Sequence, residues 1–170
     1  TVIQMRKMKR KDGSSVPVEI SARLLPDGNM LGMVRDLTER VSAEQTLQKE
    51  KDLSDKIINS LPGLFYLSDT APKLLRWNMA FEKISGYSAE ELGNMRPITL
   101  IKTQDHPIVV KALEKTYQEG FADVEARLLT KSGQKIPFFF TGVRIEYEGK
   151  PAILGTGINI TERRKAEEEI

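Results

Sequence analysis

At 170 residues, with 39% hydrophobic and 29% charged side chains, the chain has the length and composition of a folded domain, or of one domain plus part of another. It holds no cysteine, which removes disulfides, thiolate metal sites and cysteine nucleophiles, and no apolar run approaches the roughly 18 residues of a membrane span. Its 26 basic and 24 acidic side chains nearly cancel to +2, so the overall field exerts little pull on a polyanion.

In chain order, residues 2 to 10, 15 to 25 and 30 to 36 read as three antiparallel strands. Such a sheet with one apolar face needs a cover to be stable, so residues 1 to 38 look like the C-terminal three-strand part of a first domain. Arg6, Lys7, Lys9, Arg10 and Lys11 cluster in residues 5 to 11, along and just past the end of the first strand. A lysine-rich strand edge resists unwanted pairing, and a solvated edge is preferred here to a nucleic-acid site. Residues 39 to 59 read as a helical linker in which Ala43, Leu47, Ile57 and Leu61 fall on a heptad broken by Glu50 and Ser54. That thin stripe suits either a parallel seam in a homodimer or a solvated helix resting on its own domain.

A second unit is expected over residues 60 to 161. The stretches GLFYLSD and KLLRWN read as two short strands. Asn78 is placed to cap a helix through Phe81 and Ile84 that stops near Gly86, and Ser88-x-x-Glu91 is a capping box for another. Asp105 stands at the N-cap of a longer helix with Pro107 in its first turn, carrying Ile108, Leu113 and Tyr117 and ending at Gly120. Strands over 122 to 130, 135 to 146 and 151 to 159 follow, joined at Lys131-Ser132-Gly133 and Glu148-Gly149.

This closing meander repeats the first one. KRKDGSSVPVEIS at 9 to 21 matches LTKSGQKIPFFFT at 129 to 141 through Lys11, Gly13 and Pro17 against Lys131, Gly133 and Pro137. Thr38-Glu39-Arg40 returns as Thr161-Glu162-Arg163. At each exit the threonine is expected to cap a new helix by accepting a backbone N–H, with Glu39 and Glu162 in the first turn where the helix dipole favours negative charge. Residues 162 to 170 would start the second exit helix.

LLRWNMAFEKISGYSAEEL at 74 to 92, KSGQKIPFFF at 131 to 140 and the closing NITERRKAEE resemble the PAS sensor family. The resemblance covers the second unit in full and the first in part. It implies an α+β PAS fold: a five-stranded antiparallel sheet with short helices and one longer helix on one face, helical linkers at the exits, and a small cavity between sheet and long helix. Family members serve as input or relay modules, so the expected role is a sensory module of a larger protein such as a two-component sensor histidine kinase, with neighbouring PAS and output domains in the parent chain. The family's Asp-x-Thr exit triplet is matched by Asp36 and Thr38, whereas Asn159 and Thr161 depart from it by losing the charge.

With that arrangement, strand alternation places Leu75 with Trp77, Phe138 with Phe140 and Gly142, and Ile153 with Gly155 and Gly157 on interior faces, alongside Phe65, Leu67, Phe81 and Ile84. Three interior glycines leave room for a ligand, or the phenylalanines fill a dry core. Both readings stand: a ligand sensor, or a relay and dimerisation module. Without cysteine, the family's flavin-thiol photochemistry and covalent haem are disfavoured. His106 stands before Pro107 at the helix start, a poor position for non-covalent haem, so non-covalent flavin or a colourless metabolite stays compatible. With no cysteine and one histidine, no catalytic constellation is present. The chain begins at Thr1 without initiator methionine or signal peptide, which reads as a piece of a longer cytoplasmic protein that does not itself enter a membrane.

Overall fold

The computed structural model describes residues 2–169, so Thr1 and Ile170, the outermost positions of the first and last expected segments, lie outside it. Compact contacts divide the chain between residues 54 and 55 into two units.

The first unit is built on short-range pairing. Strands β1 (Val2–Lys9), β2 (Ser15–Leu24) and β3 (Met30–Asp36) form an antiparallel sheet in that order, with Val18 paired to Arg6 on one side and Asp36 on the other. Val16, Val18 and Leu37 are buried. On the face that carries the two valines, Val2, Met8, Leu24, Met30 and Val34 stand exposed. Helix α1 (Thr38–Ser60) leaves the sheet after Leu37 and has no buried residue.

The second unit starts with β4 (Leu64–Asp69) and β5 (Leu74–Trp77). Helices α2 (Met79–Ser85) and α3 (Ala89–Asn94) follow, started as the sequence expects. The Asn78 side chain accepts from the Phe81 N–H, and Ser88 and Glu91 complete their reciprocal capping box. After two short 3-10 turns, Pro97–Leu100 and Thr103–Asp105, comes the long helix α4 (His106–Glu119), closed by Gly120 at φ 92°. The meander is β6 (Phe121–Leu129), β7 (Lys135–Tyr147) and β8 (Lys150–Asn159), and α5 (Thr161–Glu168) leaves its last strand. The sheet order is β5-β4-β8-β7-β6 with antiparallel pairing throughout. Helix α4 packs on β6, β7 and β8, and the core joins Leu64, Leu74, Phe81, Leu92, Leu100, Leu128, Phe138 and Phe140. The α+β class and the five-stranded sheet expected from sequence are the architecture observed.

Three expected caps act differently. Asp105 does not cap α4; its carboxylate instead accepts the Arg127 N–H at 2.9 Å, Nε at 2.8 Å and a third bond from Nη2. A guanidinium fork satisfies both carboxylate oxygens at once, which a single helix N–H cannot. Neither Thr38 nor Thr161 accepts a helix N–H. Each is the first helical residue, and its own N–H and hydroxyl donate backward, to Asp36 and Asn159.

Candidate functional site

A chamber of about 220 Å³ lies between α4 and the inner face of the sheet. Its walls are Leu74, Phe81, Leu100, Phe140 and Ile153, with Val109, Ala112, Leu113 and Thr116 supplied by α4. Those four positions follow the i, i+3, i+4, i+7 spacing of one helix face, so α4 presents a single stripe to the chamber. Pro72, Arg96 and Val110 also line it and are themselves exposed, which marks its mouth between the loop at 70–73, the turn before α4, and α4 itself.

Of the residues expected to face the interior, Phe81, Phe140, Gly142 and Ile153 line the chamber. Phe138 is fully buried beside it, stacked on Phe140 at 5.5 Å, and Ile84 packs against the core without reaching it. Phe65 and Leu67 belong to the other face. In the β4–β8 register they oppose Thr156 and Leu154, while Leu64, Tyr66 and Ser68 oppose Gly157, Gly155 and Ile153 on the inside. Leu75 is likewise not interior: a register shift between Leu67 and Ser68 pairs Tyr66 with Trp77 but Ser68 with Leu74, leaving Leu75 as the extra residue, 41% exposed. Trp77 turns inward without lining the chamber, and its Nε1 donates to Glu82 Oε1 at 3.1 Å.

Gly155 and Gly157 leave room for side chains and not for a ligand. A Cβ on Gly155 would lie 2.1 Å from Tyr66 Cζ, and one on Gly157 would lie 2.9 Å from Phe140 Cε1. These two glycines let Tyr66 and Phe140 lie flat on β8. A bulky residue at position 157 would therefore disrupt packing before it blocked a pocket.

The chamber's polar groups are few. Thr116 Oγ1 donates to the Ala112 carbonyl at 2.8 Å, whereas the 2.7 Å hydrogen bond that Thr141 shares with Thr156 lies on the opposite face of the sheet. The hydroxyls of Tyr66 and Ser68 and the Arg96 guanidinium have no partner among the described residues, and neither hydroxyl is sealed from solvent-sized space. Burial pushes the Tyr66 phenol up to about 12, yet its side chain keeps some open surface. Both follow from a phenol deep in the protein that faces a chamber. Sequence reasoning missed Tyr66, Ser68 and Arg96. The first two sit in a strand whose faces are both buried, which leaves no alternation to read, and no motif points to Arg96.

His106 lies outside the chamber lining, and its Nε2 meets the Ile101 carbonyl oxygen at 2.9 Å, which makes that nitrogen the N–H donor. Among the described residues no group of acidic, histidine or cysteine side chains has the makings of a metal site, and no helix is long and apolar enough to cross a membrane.

The two helix exits are built alike. Asp36 Oδ1 accepts the Thr38 N–H at 2.8 Å and its hydroxyl at 2.5 Å; Asn159 Oδ1 accepts the same pair from Thr161 at 2.9 and 2.6 Å. Leu37 N–H bonds to the Pro17 carbonyl at 2.9 Å, and Ile160 N–H to that of Pro137 at 3.0 Å. The charges differ. Asp36 holds an ion pair with Arg10 at 3.3 Å, and its carboxyl lies below the usual range chiefly because of the Thr38 hydroxyl. At the second exit Glu125 on β6 accepts from both Arg164, at 2.7 Å, and Arg163, and Glu162 pairs with Lys165 at 3.0 Å along the helix.

A family model described as a PAS domain matches residues 63–162. The chain is 28% identical over 130 residues to the methyl sulfide methyltransferase-associated sensor of Methanosarcina acetivorans, a match covering 76% of this chain but 13% of that protein. The chain thus spans about an eighth of the curated relative's length. Among solved structures, the PAS domain of an HTR-like protein from Haloarcula marismortui superposes with a TM-score of 0.63 at 16% identity, covering 70% of this chain and 98% of that one. A PAS domain from Colwellia psychrerythraea gives 0.59 at 22% identity, covering 69% and 99%.

Proposed function

The chain belongs to the PAS domain family, and from that premise we propose that its second unit is the sensory module of a larger signal-transduction protein, a sensor histidine kinase or a relative of one. It takes a small ligand into the chamber and passes the change through β8 to α5. The observation that carries this reading is the chamber itself, with the hydroxyls of Tyr66 and Ser68 on its mostly apolar wall and without a partner among the described residues. A few polar groups with free hydrogen-bonding capacity on a concave apolar wall are what orients a small ligand. The relative named as a sensor supports the role.

Residues 1–38 act in this reading as the closing strands of a preceding PAS domain, whose helices cover the exposed apolar face. The internal repeat and the shared exit geometry support it. Helix α1 pairs with its copy in a homodimer, supported by Leu47, Leu53 and Ile57, each more than half exposed on a helix with no buried residue. Sedimentation equilibrium with Leu47→Glu tests that pairing; an unchanged mass distribution would remove it. The cytoplasm is the compartment we assign, and we assign no catalysis to this chain.

A second reading, a dry-cored relay module, draws on Tyr66 and Phe140 occupying the space over Gly155 and Gly157. Native mass spectrometry of freshly purified protein, with its visible spectrum, separates the two. Sensing predicts an added mass that is lost on denaturation and in Leu113→Phe, a substitution that fills the chamber. A bare mass for the unsubstituted chain, together with no uptake of added small molecules, refutes it in favour of the relay.

A further inference from the structure

We propose that the ligand is a small organic monoanion: a carboxylate of about nine non-hydrogen atoms whose hydrocarbon body enters the chamber and whose head group is held at the mouth by Arg96. The inference rests on the sensing reading above and specifies its ligand.

Size comes first. A dry apolar cavity of about 150 Å³ takes benzene, so at the same density 220 Å³ takes about nine non-hydrogen atoms. That is below the roughly 300–1,000 Å³ of sites for drug-sized ligands, which puts flavin and haem out of reach without a rebuilt core. Charge comes second. Arg96 is the one cationic residue lining the chamber, no aspartate or glutamate lines it, and the guanidinium has no partner among the described residues. A guanidinium offers a planar fork matched to a carboxylate, and an unopposed one at an apolar opening favours anions over neutral molecules of the same shape.

Orientation follows from desolvation. A carboxylate driven into the apolar interior would lose its hydration with no cation to meet it, so the charge stays at the mouth and the hydrocarbon goes in. On the inner face of β4, Ser68 sits one pleat nearer the 70–73 loop than Tyr66, so it flanks the head group. Tyr66, deeper and neutral, is left to donate to a second polar atom on ligands that carry one. A dianion is a poor fit, because its second charge would have to sit among Phe81, Phe140 and Leu113.

The test is isothermal titration of the 170-residue chain, cleared of co-purified small molecules, with benzoate, hexanoate, adipate and the neutral benzyl alcohol. Benzoate and hexanoate are expected to bind at least about tenfold tighter than benzyl alcohol and adipate. Arg96→Gln should remove that preference while leaving benzyl alcohol affinity within about twofold, and Arg96→Lys should restore part of it. Trp77 fluorescence reports whether each variant is folded. Benzoate binding no tighter than benzyl alcohol, or unaffected by Arg96→Gln, overturns the monoanion and leaves the sensing chamber standing. A neutral compound identified as the co-purified mass does the same. A bare native mass together with no binding of any probe overturns both.

Discussion

The contact between Tyr66 and Gly155 gives the sharpest prediction about how this interior is built. Replacing Gly155 with alanine puts a methyl group 2.1 Å from Tyr66 Cζ and 2.4 Å from its hydroxyl oxygen. Carbon atoms rest about 3.5 Å apart, so the ring must retreat by more than about 1 Å or β8 must bend. Overpacking of this kind costs about 1–3 kcal/mol. The displaced ring has one place to go, the chamber it already faces, so some of the cost is absorbed there and we expect about 2 kcal/mol. Trp77 is the single tryptophan and lies in the second unit, so urea unfolding followed by its fluorescence reads that unit alone. At a slope of about 2 kcal/mol/M, the midpoint should fall by about 1 M. In a Tyr66→Ala background the same Gly155→Ala change should cost less than about 0.5 kcal/mol, giving a coupling of at least about 1 kcal/mol. A Gly155→Ala penalty that is unchanged when the ring is gone would refute the packing account, and with it the view that this glycine serves a side chain and not a ligand.

Three further outcomes follow. Arg127 holds the Asp105 carboxyl down to about 2 from its ordinary 3.8, so the stabilisation is in place above about pH 4 and is lost as pH falls toward 2. Each tenfold change in proton affinity is worth about 1.4 kcal/mol, so the pairing contributes about 2 kcal/mol, and urea midpoints across that range should lose this component in Asp105→Asn; parallel curves for the two proteins would contradict it. Asn159→Ala removes the acceptor shared by the Thr161 N–H and hydroxyl and should cost about 1 kcal/mol, seen as faster amide exchange confined to the first turn of α5. Glu125→Gln should loosen α5 by less than about 1 kcal/mol, an effect visible in exchange rates at low salt and absent at about 0.5 M, since its partners Arg163 and Arg164 are both exposed.

What was legible in the sequence was whatever local chemistry decides. The turns at Gly13 and Gly133, the caps at Asn78 and Ser88 and the stop at Gly120 each depend on a few adjacent residues, and all appear where the sequence places them. The chamber was harder because its walls depend on which of two buried faces a residue occupies. In β4, Leu64, Phe65, Leu67 and Ser68 are all buried, so the period of two carries no contrast, and the apolar Phe65 and Leu67 drew the inward assignment that belongs to Tyr66 and Ser68. In β5 one extra residue at the register shift moves Leu75 out and Leu74 in, and no periodicity foresees that. On α4 the wall stripe of Val109, Ala112, Leu113 and Thr116 is present in the sequence, but the exposed Ile108 and Val110 beside it blur its edge.

The duplicated exit shows what the chain preserves and what it varies. At both ends a side-chain oxygen two residues upstream takes the N–H and hydroxyl of a threonine, and the intervening residue, Leu37 or Ile160, is buried with its N–H tied to the carbonyl of a proline on the middle strand. None of that requires a charge, which is why asparagine serves as well as aspartate for the geometry. The ion pairs sit elsewhere and are not equivalent: Asp36 itself pairs with Arg10, whereas at the second exit the anion has moved to Glu125 and the cations to the helix. A buried apolar anchor and two short hydrogen bonds fix where each helix begins; weak, exposed ion pairs set how firmly its next turn is held. The anchor is thus the part that fixes direction, and the charges are the part that can be shifted by salt, by substitution or by a small displacement of β6, the strand that carries the chamber's Ala122 and Val124 on one face and Glu125 on the other.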